Sequence, residues 1–212
     1  AYEIPKRDWS SDVCSSDLVG NSGTVSVTNA ANALHHVTAT NTATGIVNVT
    51  GTLTIDNDGT LANAGDVNVS GTATIDNNDT TNTGSIDVEA GGDLTITNTT
   101  QVDNDAGTIT VADTATLNLN NSTIDQDRVG GPVGTGSLTV ADGGTLNLQG
   151  TAVITDGTVG NSGTVSVTNG ANALHHVTAT NTATGIVNVT GTLTIDNDGT
   201  LANAGDVNVS GK

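Results

Sequence analysis

Glycine recurs along this 212-residue chain at 23, 45, 65, 84, 107, 136, 163, 185 and 205, with spacings of 22, 20, 19, 23, 29, 27, 22 and 20. Two and four residues past each glycine stand Val25/Val27, Val47/Val49, Val67/Val69, Ile86/Val88, Ile109/Val111, Leu138/Val140, Val165/Val167, Val187/Val189 and Val207/Val209. Every member is Val, Ile or Leu, and the residue inside each pair is Ser, Asn, Asp or Thr. An alternation of period two means a short strand with one buried face. A second alternation follows in most units, at Leu53/Ile55, Ala73/Ile75, Leu94/Ile96, Leu117/Leu119 and Leu146/Leu148, and a weaker third apolar point at Leu61, Val102, Ile124 and Val159. Clusters of Gly, Asn, Asp and Thr separate these points, as turns require.

About 20 residues holding two or three short strands make one coil of a parallel β-helix, an all-β solenoid. The nine glycines enclose eight such coils, which at about 4.8 Å per coil make a rod of about 40 Å. A β-sandwich is the rival fold, but its domains are nearer one hundred residues and rarely lack aromatics. Asn21, Asn63, Asn82 and Asn161 each stand two residues before an anchor glycine. They suit sharp corners because Asn tolerates left-handed backbone angles. Either stacked amides bond along the axis as a ladder, or turn propensity alone explains them. A longer repeat overlies the coils. Val19 to Gly71 recurs as Val159 to Gly211, offset by 140 residues, with Ala30 against Gly170 the only difference. Recent duplication within a long array and an assembly artefact are the competing explanations.

Residues 1–18 stand apart. They hold the chain's only Tyr, Trp and Cys (Tyr2, Trp9 and Cys14) and half of its four basic residues. Asp8 to Leu18 resemble one translated fixed stretch of a sequencing-library adapter, and Ala1 to Glu3 the stretch across the sample index. The segment is therefore set aside as non-native, and 19–212 is taken as the repeat segment of a larger protein. That segment has eighteen acidic residues against Arg128 and Lys212, a net charge of −16. So few cations argue against nucleic acid and anionic membrane surfaces. No apolar run is long enough to span a bilayer.

The strings GTLTIDNDGTLANAGDVNVSG and GTGSLTVADGGTLNLQG resemble the repetitive passenger regions of large bacterial adhesins of the autotransporter and filamentous-haemagglutinin kind. The resemblance covers 19–212 as texture and not as a signature motif. It implies a right-handed parallel β-helix stalk, secreted or anchored at the bacterial cell surface. Such a stalk packs on neighbouring repeats of its own chain and holds binding regions for a host or surface ligand away from the cell. It implies no enzyme and no cofactor.

The chemistry-bearing residues are sparse. His35-His36 and His175-His176 are the only histidines. Neighbours on a strand point to opposite faces, so neither pair forms a ready metal site. Asp56-Asn57-Asp58-Gly59, with its copy at 196–199, suggests a calcium turn but lacks the further oxygen ligands of an EF-hand loop. Asp66, Asp87 and Glu89 suggest the paired carboxylates of a β-helix polysaccharide enzyme, without an aromatic platform for sugar. Thr52/Thr54 and Thr72/Thr74 would stack as in an ice-binding solenoid, but Asp93, Asn118 and Asn147 break the row. The insert Asn120 to Gly134 is the longest departure from the coil pattern. Loops on rigid scaffolds concentrate binding residues, which makes Asp125, Asp127 and Arg128 the expected partner contacts.

Overall fold

A computed structural model of the chain describes residues 17–56, 59–77, 79–98, 101–127, 135–196 and 198–210. Within them the alternating segments form twenty-seven short strands. These fall into three nine-stranded sheets, all parallel. The chain visits the sheets in fixed order, so each coil contributes one strand to a first, a second and a third face. Asp17–Asn21, Thr24–Val27 and Asn32–His35 make the first coil, and Val37–Asn41, Ile46–Val49 and Thr52–Asp56 the second. This is the parallel β-helix expected from the glycine spacing.

The coils number nine, not eight. One strand of the difference, Asp17–Asn21, precedes the first anchor glycine. A second, Asp206–Val209, follows the last anchor glycine, and the third lies between Gly136 and Gly163, which enclose four strands (Ser137–Val140, Thr145–Gln149, Val153–Thr155 and Thr158–Asn161) where the other intervals hold three.

Period-two alternation turns the apolar series inward on every face. Leu117, Leu119, Ile124, Leu138, Val140 and Ile154 are fully buried near the middle of the rod. Like residues stack along the axis, as with Ile86 on Ile109 and Leu117 on Leu146. β-Branched and leucine side chains fill this narrow interior without aromatics. Each fully buried one contributes about 1.5–3 kcal/mol of transfer free energy. The terminal coils have a neighbour on one side only, which leaves the inward-facing Val19 39% and Val209 69% exposed.

Corners stack as columns of backbone. Between the first and second faces, Ile46 N–H bonds to Gly23 O, Asp66 to Gly45, Ser85 to Gly65, Thr108 to Gly84, Ser137 to Gly107 and Thr158 to Gly136, at 2.8–3.3 Å. Between the second and third faces Thr72 bonds to Gly51, Asp93 to Gly71, Thr164 to Gly144, Ile186 to Gly163 and Asp206 to Gly185 in the same way. The columns need glycine because the coils touch there. A Cβ on Gly65 would run into the Gly45 carbonyl oxygen.

The asparagines form ladders beneath these corners. Asn21 Nδ2 donates to Asn41 Oδ1 at 2.8 Å, Asn41 to Asn63 at 2.8 Å, Asn63 to Asn82 at 2.7 Å and Asn82 to Asn104 at 2.7 Å. A second ladder runs from Asn161 to Asn181 at 2.7 Å and on to Asn203 at 2.8 Å. Of the alternatives left open by the sequence, the ladder is the one realised. Buried amides must find partners, and here Asn41, Asn63, Asn82 and Asn181 each accept from the coil below and donate to the coil above.

Candidate functional site

The described surface offers one concentration of titratable groups, on the first face beside the insert. The register places Asp103, Asp125, Thr155, His175 and Asp196 in one column on successive coils. Asp125 ends the strand Thr123–Asp125 and points outward, because the adjacent Ile124 takes the inward position at 0% exposure. Gln101 Nε2 donates to Asp125 Oδ2 at 2.6 Å, and Asp127 N–H donates to Asp125 Oδ1 at 3.1 Å. Partial burial pushes the Asp125 carboxyl above the ordinary carboxylate value. The Asp127 N–H opposes this, while the negative charges of Asp156, Asp103 and Asp127 add to it.

Higher on the same face each histidine meets a carboxylate on a neighbouring coil. His175 Nδ1 pairs with Asp196 Oδ1, and His176 Nδ1 lies 3.7 Å from Asp156 Oδ1. His176 reaches down because its φ of 54° ends the strand and turns the side chain out of the alternation. In the first copy His35 pairs with Asp56 in the same way, but on the third face. The two histidine pairs are thus on different faces, and each is engaged in coil-to-coil pairing.

Of the expected partner contacts, Asp125 and Asp127 come together, and Arg128 lies outside the described residues. Sequence reading missed Asp103, Asp156 and Gln101, which join them only through stacking, at separations of 22, 31 and 24 residues. One coil length, the spacing of Asp103 from Asp125, was the signal available. Among the described residues no group of three or more His, Cys, Asp or Glu is arranged to hold a metal ion. For the suggested calcium turns, Asn57, Asp58 and Asn197 lie outside the described residues, and the Asp56 and Asp196 carboxylates are engaged by histidine.

The carboxylates of the suggested polysaccharide site lie on the outer side of the second face. Ser85 Oγ stands between Asp66 Oδ1 at 3.1 Å and Asp87 Oδ2 at 2.9 Å on a flat outward face, with Glu89 exposed beyond the strand. Two cavities of about 20 and 30 Å³ lie in the aliphatic core, too small for a sugar. The threonine row starts as expected, with Thr52 on Thr72 and Thr54 on Thr74. It breaks where Asp93 covers Thr72 and Asn118 covers Thr95. A longer hydroxyl column on the second face, Thr108, Ser137, Thr158, Thr178 and Thr200, was not anticipated. Among the described residues no helix is long and apolar enough to cross a membrane.

No family model matches the chain, and no curated protein does. Among solved structures, the crystal structure of a TibC-catalyzed hyper-glycosylated TibA fragment matches at 16% identity, over 94% of this chain and 93% of that one. Its TM-score of 0.20 is too low for the likeness to carry any argument here.

Proposed function

We propose that residues 19–212 are a stalk segment of a secreted or surface-anchored bacterial repeat protein of adhesin type, acting mechanically and not catalytically. The carrying observation is that apolar core, glycine corners and asparagine ladders all run along the axis, coil on coil. Such a body grows in length with each added repeat and keeps its cross-section. The flat faces, with side chains of modest size and a net charge of −18 on the whole chain, suit a solvated rod that repels its neighbours. Residues 1–18 are not part of this function, and the host or surface ligand belongs to regions that the stalk displays.

Display is measured directly as height. Chains carrying one, two or three copies of the 140-residue repeat are anchored by one end to a coated surface, with a fluorophore on the other end. Each added repeat raises the fluorophore by about 30 Å, from about 4.8 Å per coil. A fluorophore that stays at one height as repeats are added overturns the stalk reading.

A further inference from the structure

The two near-identical copies do not lie on the same faces. Thr24–Val27, Ile46–Val49 and Asp66–Val69 build the second face, whereas their copies Thr164–Val167, Ile186–Val189 and Asp206–Val209 build the third. Val37–Asn41 and Thr60–Asn63 are on the first face, and their copies Thr178–Asn181 and Thr200–Asn203 on the second. Thr52–Asp56 is on the third face, and its copy Thr192–Asp196 on the first. The shift is one face forward in every case, while pairing inside each copy is unchanged. Thr24 faces Ile46 and Thr164 faces Ile186 in the same register.

The cause is the fourth strand between Gly136 and Gly163. It makes the 140-residue offset nineteen strands long, which is six coils and one face. The corners allow the shift because they are interchangeable. Gly163, an Asn-x-Gly corner, continues the column of Gly144, and Thr164 N–H bonds to Gly144 O at 2.9 Å as its predecessors do. The ladders record the cost. Asn161 stacks on Val140, a residue with no side-chain donor, so the buried Asn161 Oδ1 accepts no hydrogen bond among the described residues. The first ladder stops at Asn104, whose Nδ2 donates to Ser137 O at 3.3 Å, and the second starts afresh beneath a different corner.

We infer that the 140-residue repeat acts as a screw operation, presenting each unit's surface one face further round the rod than the unit before. Any group on one unit then returns to the same face only at the fourth unit, three repeats and about 90 Å along the axis. In a stalk this turns the repeated surface toward all three directions in succession. The same step limits flat hydroxyl columns. The strands carrying Thr38 and Thr60 lie on the first face, and those carrying Thr178 and Thr200 on the second. The display consequence rests on the stalk reading. The face shift does not, and its test is separate from the height measurement.

Pairs of cysteines on outward positions test the shift in the full chain with Cys14→Ser. In the observed register Thr139 lies beside Gly160, and Asn147 beside Ser166. Were the second copy in phase with the first, Ser166 would instead lie beside Thr139, as its mate Ser26 occupies the second face. Gly160 has room for a side chain, its nearest neighbour being Thr139 Oγ1 at 3.9 Å. Asp87→Cys with Thr110→Cys, paired within the uninterrupted coils, is the positive control. Under mild oxidation, Thr139→Cys/Gly160→Cys and Asn147→Cys/Ser166→Cys cross-link to the extent of the control, and Thr139→Cys/Ser166→Cys does not. Cross-linking of Thr139→Cys/Ser166→Cys to the control level overturns the inference. So does failure of both expected pairs while the control forms.

Discussion

At the scale of single residues, the buried ladder amides hold more of the fold than their exposed counterparts. Asn82 is fully buried, accepts from Asn63, and donates to Asn104 and to Thr108 O at 3.2 Å. Asn82→Ala leaves a buried donor on one side and a buried acceptor on the other, each costing about 1–3 kcal/mol. Urea unfolding should therefore show a loss of about 2 kcal/mol or more. Asn68→Ala removes a similar bond, 2.9 Å to Asn48, on the outer face, where water replaces the partner. It should change stability by less than about 0.5 kcal/mol. Equal losses in the two variants would remove the ladder's special standing. Asp125 makes a pH-dependent case. Its folded value lies above the ordinary one, so the native state holds the proton to higher pH than the unfolded chain. The group is neutral toward stability in acid, where both states are protonated. It opposes folding increasingly as pH rises through the ordinary value toward the raised one. Asp125→Asn should therefore gain more unfolding midpoint over the parent at pH 7 than at about pH 3. A difference independent of pH would contradict the assignment.

At the scale of elements, the one difference between the two copies has a physical reason. Gly170 has φ +75°, and a Cβ there would strike the Gly150 carbonyl oxygen of the coil below. Ala30 occupies the matching place exposed on the first coil. Gly170→Ala makes the copies identical and should destabilise the chain by more than about 1 kcal/mol. Gly160→Ala, in open space with no positive φ, should be neutral or mildly stabilising. Thermal unfolding of the two variants checks both, and a tolerated Gly170→Ala would contradict the close coil contact. These corners also show what the sequence could reveal. Strand alternation and glycine spacing are local, so the coil and its core are legible directly. Asn41 and Asn104 belong to the ladder but were not legible as members, because they stand four and three residues before Gly45 and Gly107, not two. What aligns them is the coil, which positions their backbones, and not the distance to glycine. Intervals of 29 and 27 residues look alike as insertions. One holds three strands and the other four, and only pairing across coils separates them. The column of Asp103, Asp125 and His175 was hidden for the same reason.

At the scale of the whole molecule, nearly all order is axial. Each coil is held by the coils above and below it, and its three faces meet only through the shared core. Among the described residues the first and last coils carry strand edges without a neighbouring strand and exposed apolar side chains, Leu18 and Val19 at one and Val207 and Val209 at the other. Such edges promote end-to-end association, so length must be judged at vanishing concentration. The most direct test is small-angle X-ray scattering from chains of one, two and three 140-residue repeats, extrapolated to infinite dilution. The account predicts a maximum dimension that grows by about 30 Å per repeat with a constant cross-sectional radius. A cross-section that widens as repeats are added, or a length that does not grow, would contradict it.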